Sequence, residues 1–291
     1  MPLSPSWAVT TRRTGLVAGI LAVVTLVTLA LLPASDGVEP PAQAGGTGAP
    51  AAVPRPGSTA PAPDSAGVVV DREGWNSWTL LDLDTGKRRG SANSVTETNN
   101  TESMVKVWIG ADYIAGAEAE GRALTDEEWA EIGAMIRYSD DDAAETLWAA
   151  RGGDAVIERL IGECGLTGTA VSPEWWSYTQ ITAGDAVTML QCVLDRAKTS
   201  TGTAKLVDEM RAVDPSNAFG IPAALPAGTP VAVKNGWTLQ ESEDLWHVNC
   251  LATWGHWALS VLTWYPGELG QDYGAATCGD VTRQLLLHGL E

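Results

Sequence analysis

No charged side chain lies between Arg13 and Asp36, and the nineteen residues Thr14–Leu32 (TGLVAGILAVVTLVTLALL) are almost wholly apolar. At about 1.5 Å per residue such a run can nearly cross a bilayer core of about 30 Å. Arg12 and Arg13 hold residues 1–13 inside as a short cytoplasmic N-terminus and send the rest across. Residues 14–33 are therefore either an uncleaved transmembrane anchor or a signal segment cut at Ala42-Gln43-Ala44. That site lies ten residues past the apolar run, farther than usual, which favours the anchor. No cysteine follows the segment closely, so a lipid-modified N-terminus is not supported. Residues 34–66 are rich in Pro, Ala and Gly; Pro33 through Ser65 holds eight of the sixteen prolines. A stretch of this kind buries no core and serves as an extended linker. Folding is thus confined to about 225 residues, 67–291, enough for one well-buried domain outside the cytoplasm.

Charge removes one class of function. With 36 acidic against 18 basic residues the net charge is −18, which repels phosphate backbones, so no nucleic-acid partner is expected. All four cysteines, Cys164, Cys192, Cys250 and Cys278, fall in the exported part, where an even count points to disulfides. Of three connectivities, Cys164–Cys192 with Cys250–Cys278 keeps both loops local, each spanning 28 positions. Loop-closure entropy then gives about 3–4 kcal/mol per bridge. A four-thiolate metal site would want a close Cys-x-x-Cys pair, which the sequence lacks.

The pattern predicts a hairpin from Gly67–Asp71 and Ser77–Asp84 with a turn at Asp84-Thr85-Gly86. Helices are expected over 102–116, 125–138, 142–150, 154–163 and 182–197, with capping signals at Thr125/Glu128 and Thr182/Asp185. Three strand-like runs, 230–239, 243–254 and 256–265, precede a closing helix over 272–287. Strands at both ends with helices between imply an α/β (α+β) sandwich on a mostly antiparallel sheet.

The most informative segment is Thr101-Glu102-Ser103-Met104-Val105-Lys106-Val107-Trp108-Ile109. Residues around Lys106 are apolar on every side, the pattern of a helix inside a domain. Burial disfavours an ammonium, so Lys106 is expected to be paired, neutral or both. Ser103 lies three residues earlier on the same face, within expected hydrogen-bond reach of about 2.6–3.2 Å. A desolvated lysine can serve as base to a serine, and the helix start favours a developing oxyanion. A structural lysine meeting a carboxylate explains the pair equally well. Downstream, Ser139-Asp140-Asp141 sits between two helices, and Val231-Ala232-Val233-Lys234-Asn235-Gly236-Trp237 puts a lysine in a strand before a glycine that permits close approach. Taken singly, these also read as a helix N-cap and an edge-strand lysine.

In this order the three elements resemble the Ser-x-x-Lys, Ser-Asp-Asn and Lys-Thr-Gly set of serine β-lactamases and penicillin-binding D,D-peptidases, class A and related actinobacterial hydrolases above all. The resemblance covers the whole domain and implies a β-lactamase/transpeptidase-like fold with a helical subdomain. It implies Ser103 as acylated nucleophile, Lys106 as activating amine, Ser139 as proton shuttle and Lys234 as carboxylate-binding cation. The N–H groups of Ser103 and Trp237 would form an oxyanion hole, with Asp141, Asn235 and Gly236 completing the substrate-binding wall. The ligand implied is a β-lactam or a peptidoglycan peptide, with no cofactor and no metal, on a monomeric domain that meets the membrane only through its N-terminal segment.

Three departures stand out. Asp141 replaces an Asn that could donate to substrate. Asn235 replaces the middle Thr of the third motif. Glu174 stands about where the deacylation base would, but Trp175-Trp176-Ser177 follows instead of the Leu-Asn element that positions water. An exposed loop carboxylate is the plainer reading of Glu174, and Trp175 and Trp176 read equally as packing or as an aromatic wall for a ligand. His247, His256 and His288 have neither a Gly-x-Ser-x-Gly elbow nor metal-ligand spacing to work with. Two functions remain: an exported serine hydrolase acylated at Ser103, or a catalytically degenerate relative that binds or scaffolds in the cell envelope.

Overall fold

The computed structural model describes residues 67–289, so the segments at 1–13, 14–33 and 34–66 lie outside the described residues. Strand β1 (Trp75–Asp82) turns back through an Asx turn, in which the Asp82 carboxylate accepts from the N–H groups of Asp84 and Thr85, onto β2 (Arg88–Gly90). The expected hairpin is thus corrected. Its turn follows β1, so the partner strand must come after it, and 67–71 is not a strand. Instead the Val69 backbone holds the side-chain amide of Gln284 through two bonds of 2.8 Å.

Strand β3 (Thr98–Asn100) leads into a tight 3₁₀ turn at Glu102–Val105 and then α1 (Lys106–Ala119). Helix α2 (Asp126–Gly133) starts at the full Thr125/Glu128 capping box and ends in a widened turn at Ala134–Tyr138. Helices α3 (Asp141–Ala150) and α4 (Ala155–Cys164) follow, then β4 (Gln180–Thr182), which pairs with β3. Helix α5 (Ala183–Ala197) is capped by Thr182. Helix α6 (Thr201–Arg211) was hidden in the sequence by its Thr, Gly and Lys content. Ser200 caps it, and Leu206 and Gly202 pack directly on α1, where a Cβ at Gly202 would stand 2.6 Å from Ile114.

A short helix, α7 (Ile221–Ala224), precedes the last strands: β5 (Ala232–Val233), β6 (Gly236–Gln240), β7 (Leu245–Trp254) and β8 (Trp257–Pro266). Sheet order is β2-β1-β8-β7-β5, with β6 also on β7, and every pair is antiparallel. The β7–β8 hairpin closes through a two-residue loop with Gly255 at φ +53°. Strands β5 and β6 keep one register along β7, since Val233 faces Ala252 and Gly236 faces Asn249; only the regular pairing lapses, at Lys234 and Asn235.

Helix α8 (Gln271–Leu287) covers one sheet face and the helical layer covers the other. Alternation along β7 and β8 serves both: Leu251, Ala258 and Leu262 face the helical layer, while Cys250, Ala252, Leu259 and Val261 face α8. Both expected disulfides are present. Cys164–Cys192 ties α4 to α5 and Cys250–Cys278 ties β7 to α8, with Cα separations of 5.7 and 6.3 Å.

Candidate functional site

Helix α1 is buried around its whole circumference, so its first turn is fixed by the core. The residues before it are anchored as firmly. Thr101 donates its N–H to the Thr179 carbonyl at 2.8 Å, and the Asn249 amide donates to the Asn100 carbonyl at 2.7 Å. Glu102 takes φ +47°, a left-handed conformation costly for a side chain with a Cβ, so the surroundings must impose it. One such constraint is β6: a Cβ at Gly236 would lie 2.6 Å from the Ser103 nitrogen and 2.8 Å from the Glu102 Cβ. Glycine there lets the strand backbone ride against the helix start, beside the nucleophile candidate.

Lys106 is fully buried. Its ammonium donates to the Asp141 carboxylate at 2.5 Å and to the Ser139 carbonyl at 2.7 Å, and lies 4.9 Å from the ring centre of Trp176. Burial pulls its pKa below the usual lysine range, and the Asp141 carboxylate pulls it back up. The expected Ser103–Lys106 contact is therefore corrected: no hydrogen bond joins them, because a carboxylate outcompetes a neutral hydroxyl for an ammonium. Among the described residues the Ser103 hydroxyl has no hydrogen-bond partner.

Ser139 sits at φ +60°, between the widened turn and Asp140, whose carboxylate caps α3 by accepting from the Ala143 N–H at 2.8 Å. The Ser139 hydroxyl accepts from Lys234 at 2.8 Å, so one serine holds both lysines, one through its carbonyl and one through its side chain. Lys234 also donates to the Asn235 carbonyl at 3.1 Å. Burial, and next the charge of Lys106, hold Lys234 well below the ordinary lysine range. The Asn235 amide turns away from the cleft, donating to the carbonyls of Asn217 and Phe219 at 3.0 Å each. Its expected place in the substrate wall is thus corrected to a brace for the 217–219 segment.

Above this group lies a cleft of about 460 Å³, lined by Ser103, Asp141, Glu174 and Trp237 among the expected residues. Lys106, Ser139 and Lys234 lie behind its surface rather than on it. Glu174 is exposed at φ +65°, with its N–H held by the Asp154 carboxylate. Beside it, Trp176 is buried against the core and donates to Glu145 at 3.2 Å, whereas Trp175 is 60% exposed and pairs with Tyr178 at 5.8 Å between ring centres.

Sequence reasoning passed over Glu102. It is 2% exposed, lines the cleft, and accepts from the Thr238 hydroxyl at 2.8 Å and the Gln240 amide at 3.3 Å. Burial pushes its carboxyl above the usual glutamate range. An acidic side chain opening an otherwise apolar run, next to the serine of interest, was the available signal.

An antiparallel sheet with α8 on one face and a helical layer on the other, a Ser-x-x-Lys turn at the mouth of a buried helix, and a serine–lysine contact across from it define the β-lactamase-like fold. The chain belongs to the beta-lactamase enzyme family, whose profile matches residues 130–288 and so includes Ser139 and Lys234 but begins after Ser103 and Lys106. It is 34% identical over 169 residues to proteins named "Putative lipoprotein LppW" in Mycobacterium tuberculosis and Mycobacterium bovis, a match covering 54% of this chain. The chain spans about half the length of these curated relatives, 52%. Solved structures with this fold include a class A beta-lactamase from Mycobacterium abscessus (22% identity, TM-score 0.61, 75% of this chain and 94% of that one). Another is the TLA-3 extended-spectrum beta-lactamase (13% identity, TM-score 0.63, covering 74% and 94%). At these identities the likeness shows the fold alone. Among the described residues no helix is long and apolar enough to cross a membrane.

Proposed function

We propose that this chain is an exported serine acyl-transfer enzyme that forms an ester on Ser103 and releases it slowly. The observation that carries this reading is the meeting of the helix start with β6. The Ser103 nitrogen lies against Gly236, next to Trp237, while Lys106, Ser139 and Lys234 form one connected polar group behind it. In the step envisaged, the Ser103 oxygen attacks a strained or D-alanyl amide carbonyl. The N–H groups of Ser103 and Trp237 face the oxyanion, and the serine proton passes to a neutral Lys106. Ser139 then gives its hydroxyl proton to the departing nitrogen and takes one from the Lys234 ammonium that donates to it.

Slow release follows from what surrounds Lys106. The Trp176 ring lies over its amine, and Glu174 stands exposed on a loop rather than braced toward the ester. The two disulfides and the lipoprotein name of the mycobacterial relatives support an address outside the cytoplasm. Anchorage by residues 14–33 is part of the same proposal.

The Lys106–Asp141 bond favours a second reading, a cell-envelope binding or scaffolding domain, since it occupies the amine that should activate Ser103. Intact-protein mass followed over time after adding benzylpenicillin separates them. One equivalent retained on the wild type and absent from Ser103→Ala supports the enzyme. No adduct at any time or concentration overturns it in favour of the binding domain.

A further inference from the structure

The cleft above Ser103 carries the wrong charge for an anionic ligand. Its walls hold Glu102, Asp142, Glu145 and Glu174 in addition to Asp141, and among the described residues no lysine or arginine lines it. Both lysines of the site are buried and already bonded: Lys106 to Asp141 and the Ser139 carbonyl, Lys234 to the Ser139 hydroxyl. Asp141 has its counter-ion in Lys106. Glu102 does not.

The Glu102 carboxylate, only 2% exposed, is held by a hydroxyl and an amide, and among the described residues it forms no ion pair. A carboxylate withdrawn from water without a cation is costly, and strongly so when no opposite charge answers it. Its left-handed backbone adds to the cost, so the fold maintains an arrangement that packing alone does not reward. Lining the same cleft, Trp175 and Tyr178 form a ring pair, with Trp175 60% exposed, and the Tyr178 hydroxyl donates to the Gln240 side chain whose amide reaches Glu102. An indole face beside carboxylates is a recognised receiver of ammonium groups.

We propose that the cleft takes a ligand bearing an ammonium group, a peptide with a free amine, which Glu102 and the Trp175–Tyr178 pair receive together. The inference rests on the reading of the Ser103 cleft as the ligand site and specifies what that site selects. The same charge disfavours ligands whose only charges are negative.

The test uses the full chain carrying Ser103→Ala, so that no ester forms, titrated by calorimetry with two probes differing by one charge. These are Nα-acetyl-L-lysyl-D-alanyl-D-alanine and its Nα,Nε-diacetyl form. The free-amine probe is expected to bind about tenfold tighter at low salt, one charge-assisted contact's worth. The preference should shrink in high salt and vanish in Glu102→Gln. If Glu102→Gln does not fold, Glu174→Gln and Trp175→Ala, both at exposed side chains, should each reduce it severalfold. Equal affinities, failure of the free-amine probe to bind, or a preference untouched by all these variants overturns the proposal. Penicillin acylation without amine preference overturns this inference and leaves the acyl-transfer reading intact. Amine preference without any adduct does the reverse.

Discussion

Replacing Asp141 by Asn removes one negative charge from Lys106 while keeping the shape and an acceptor oxygen. Lys106 is fully buried, so desolvation already presses its amine toward the neutral form, and the Asp141 bond at 2.5 Å is the main force keeping it charged. A charge-assisted hydrogen bond contributes about 1.5–3 kcal/mol. Because the Asp141 side chain is 78% exposed, solvent screening argues for the low end. About 1.4 kcal/mol corresponds to one pKa unit. Asp141→Asn should therefore lower the Lys106 pKa by about one unit and raise its neutral fraction at pH 7 about tenfold. If neutral Lys106 takes the Ser103 proton, acylation by a fluorescent penicillin should quicken about tenfold, with the acid limb of its pH–rate profile displaced about one unit downward. Rates measured from pH 5 to 9 on wild type, Asp141→Asn and Ser103→Ala decide it. An unchanged profile in Asp141→Asn, with labelling still dependent on Ser103, would refute Lys106 as the base.

Gly236→Ala puts a methyl 2.6 Å from the Ser103 nitrogen, so the strand must retreat; acylation should fall about a hundredfold while thermal stability drops only modestly. His247 is buried with its pKa lowered to about 4 from 6.5, its Nδ1–H donating to the Asn99 side-chain oxygen. A base with a depressed folded pKa leaves stability whole above pH 6.5 and erodes it as pH falls toward 4, by about 3 kcal/mol in all. Denaturation midpoints across that window should show this slope, and His247→Asn should flatten it. Cys250→Ser with Cys278→Ser should cost about 3–4 kcal/mol in urea unfolding, since the bridge closes a 28-position loop. A loss below about 1 kcal/mol would mean that the unfolded chain without the bridge keeps residual structure that already closes this loop.

How far the fold could be read from the sequence varied with the kind of signal. Strongly patterned elements were legible: Thr125 and Glu128 mark a helix start through a reciprocal cap, and the continuous apolar ring around Lys106 marks α1 as interior. Helix α6 was not, because its evidence is tertiary. Gly202 and Thr203 argue against a helix locally, and only the fit of Leu206 onto α1 repays them. The first hairpin was misread for a directional reason, since apolar residues before a turn and after it look alike until pairing chooses between them. In the site, residue types were legible and allegiance was not. Ser103 and Lys106 stand on one face as spacing requires, yet the amine's partner comes from 35 positions away and wins on charge.

That contest links two of the departures from the family's motifs, Asp141 and Trp176. With Asn at 141 the first lysine would lose the carboxylate bonded to it and could attend to the serine. Aspartate instead draws the amine toward α3, and the Trp176 ring closes over it from the loop side. Glu102 then stands as the carboxylate nearest Ser103 in sequence, buried and, among the described residues, without an ion pair. An incoming ammonium near Glu102 and Asp141 would compete with Lys106 for negative charge, weaken the Lys106–Asp141 attraction and push the lysine toward its neutral form. Ligand recognition and nucleophile activation would in this way be one electrostatic event. The coupling predicts that free ε-amine in the peptide raises the acylation rate constant as well as affinity, and that Asp141→Asn, by freeing Lys106 in advance, abolishes the rate advantage while leaving most of the binding advantage on Glu102. Single-turnover kinetics with the two acetyl-lysyl peptides on wild type and Asp141→Asn measure both quantities; a rate advantage that survives Asp141→Asn would separate the two functions.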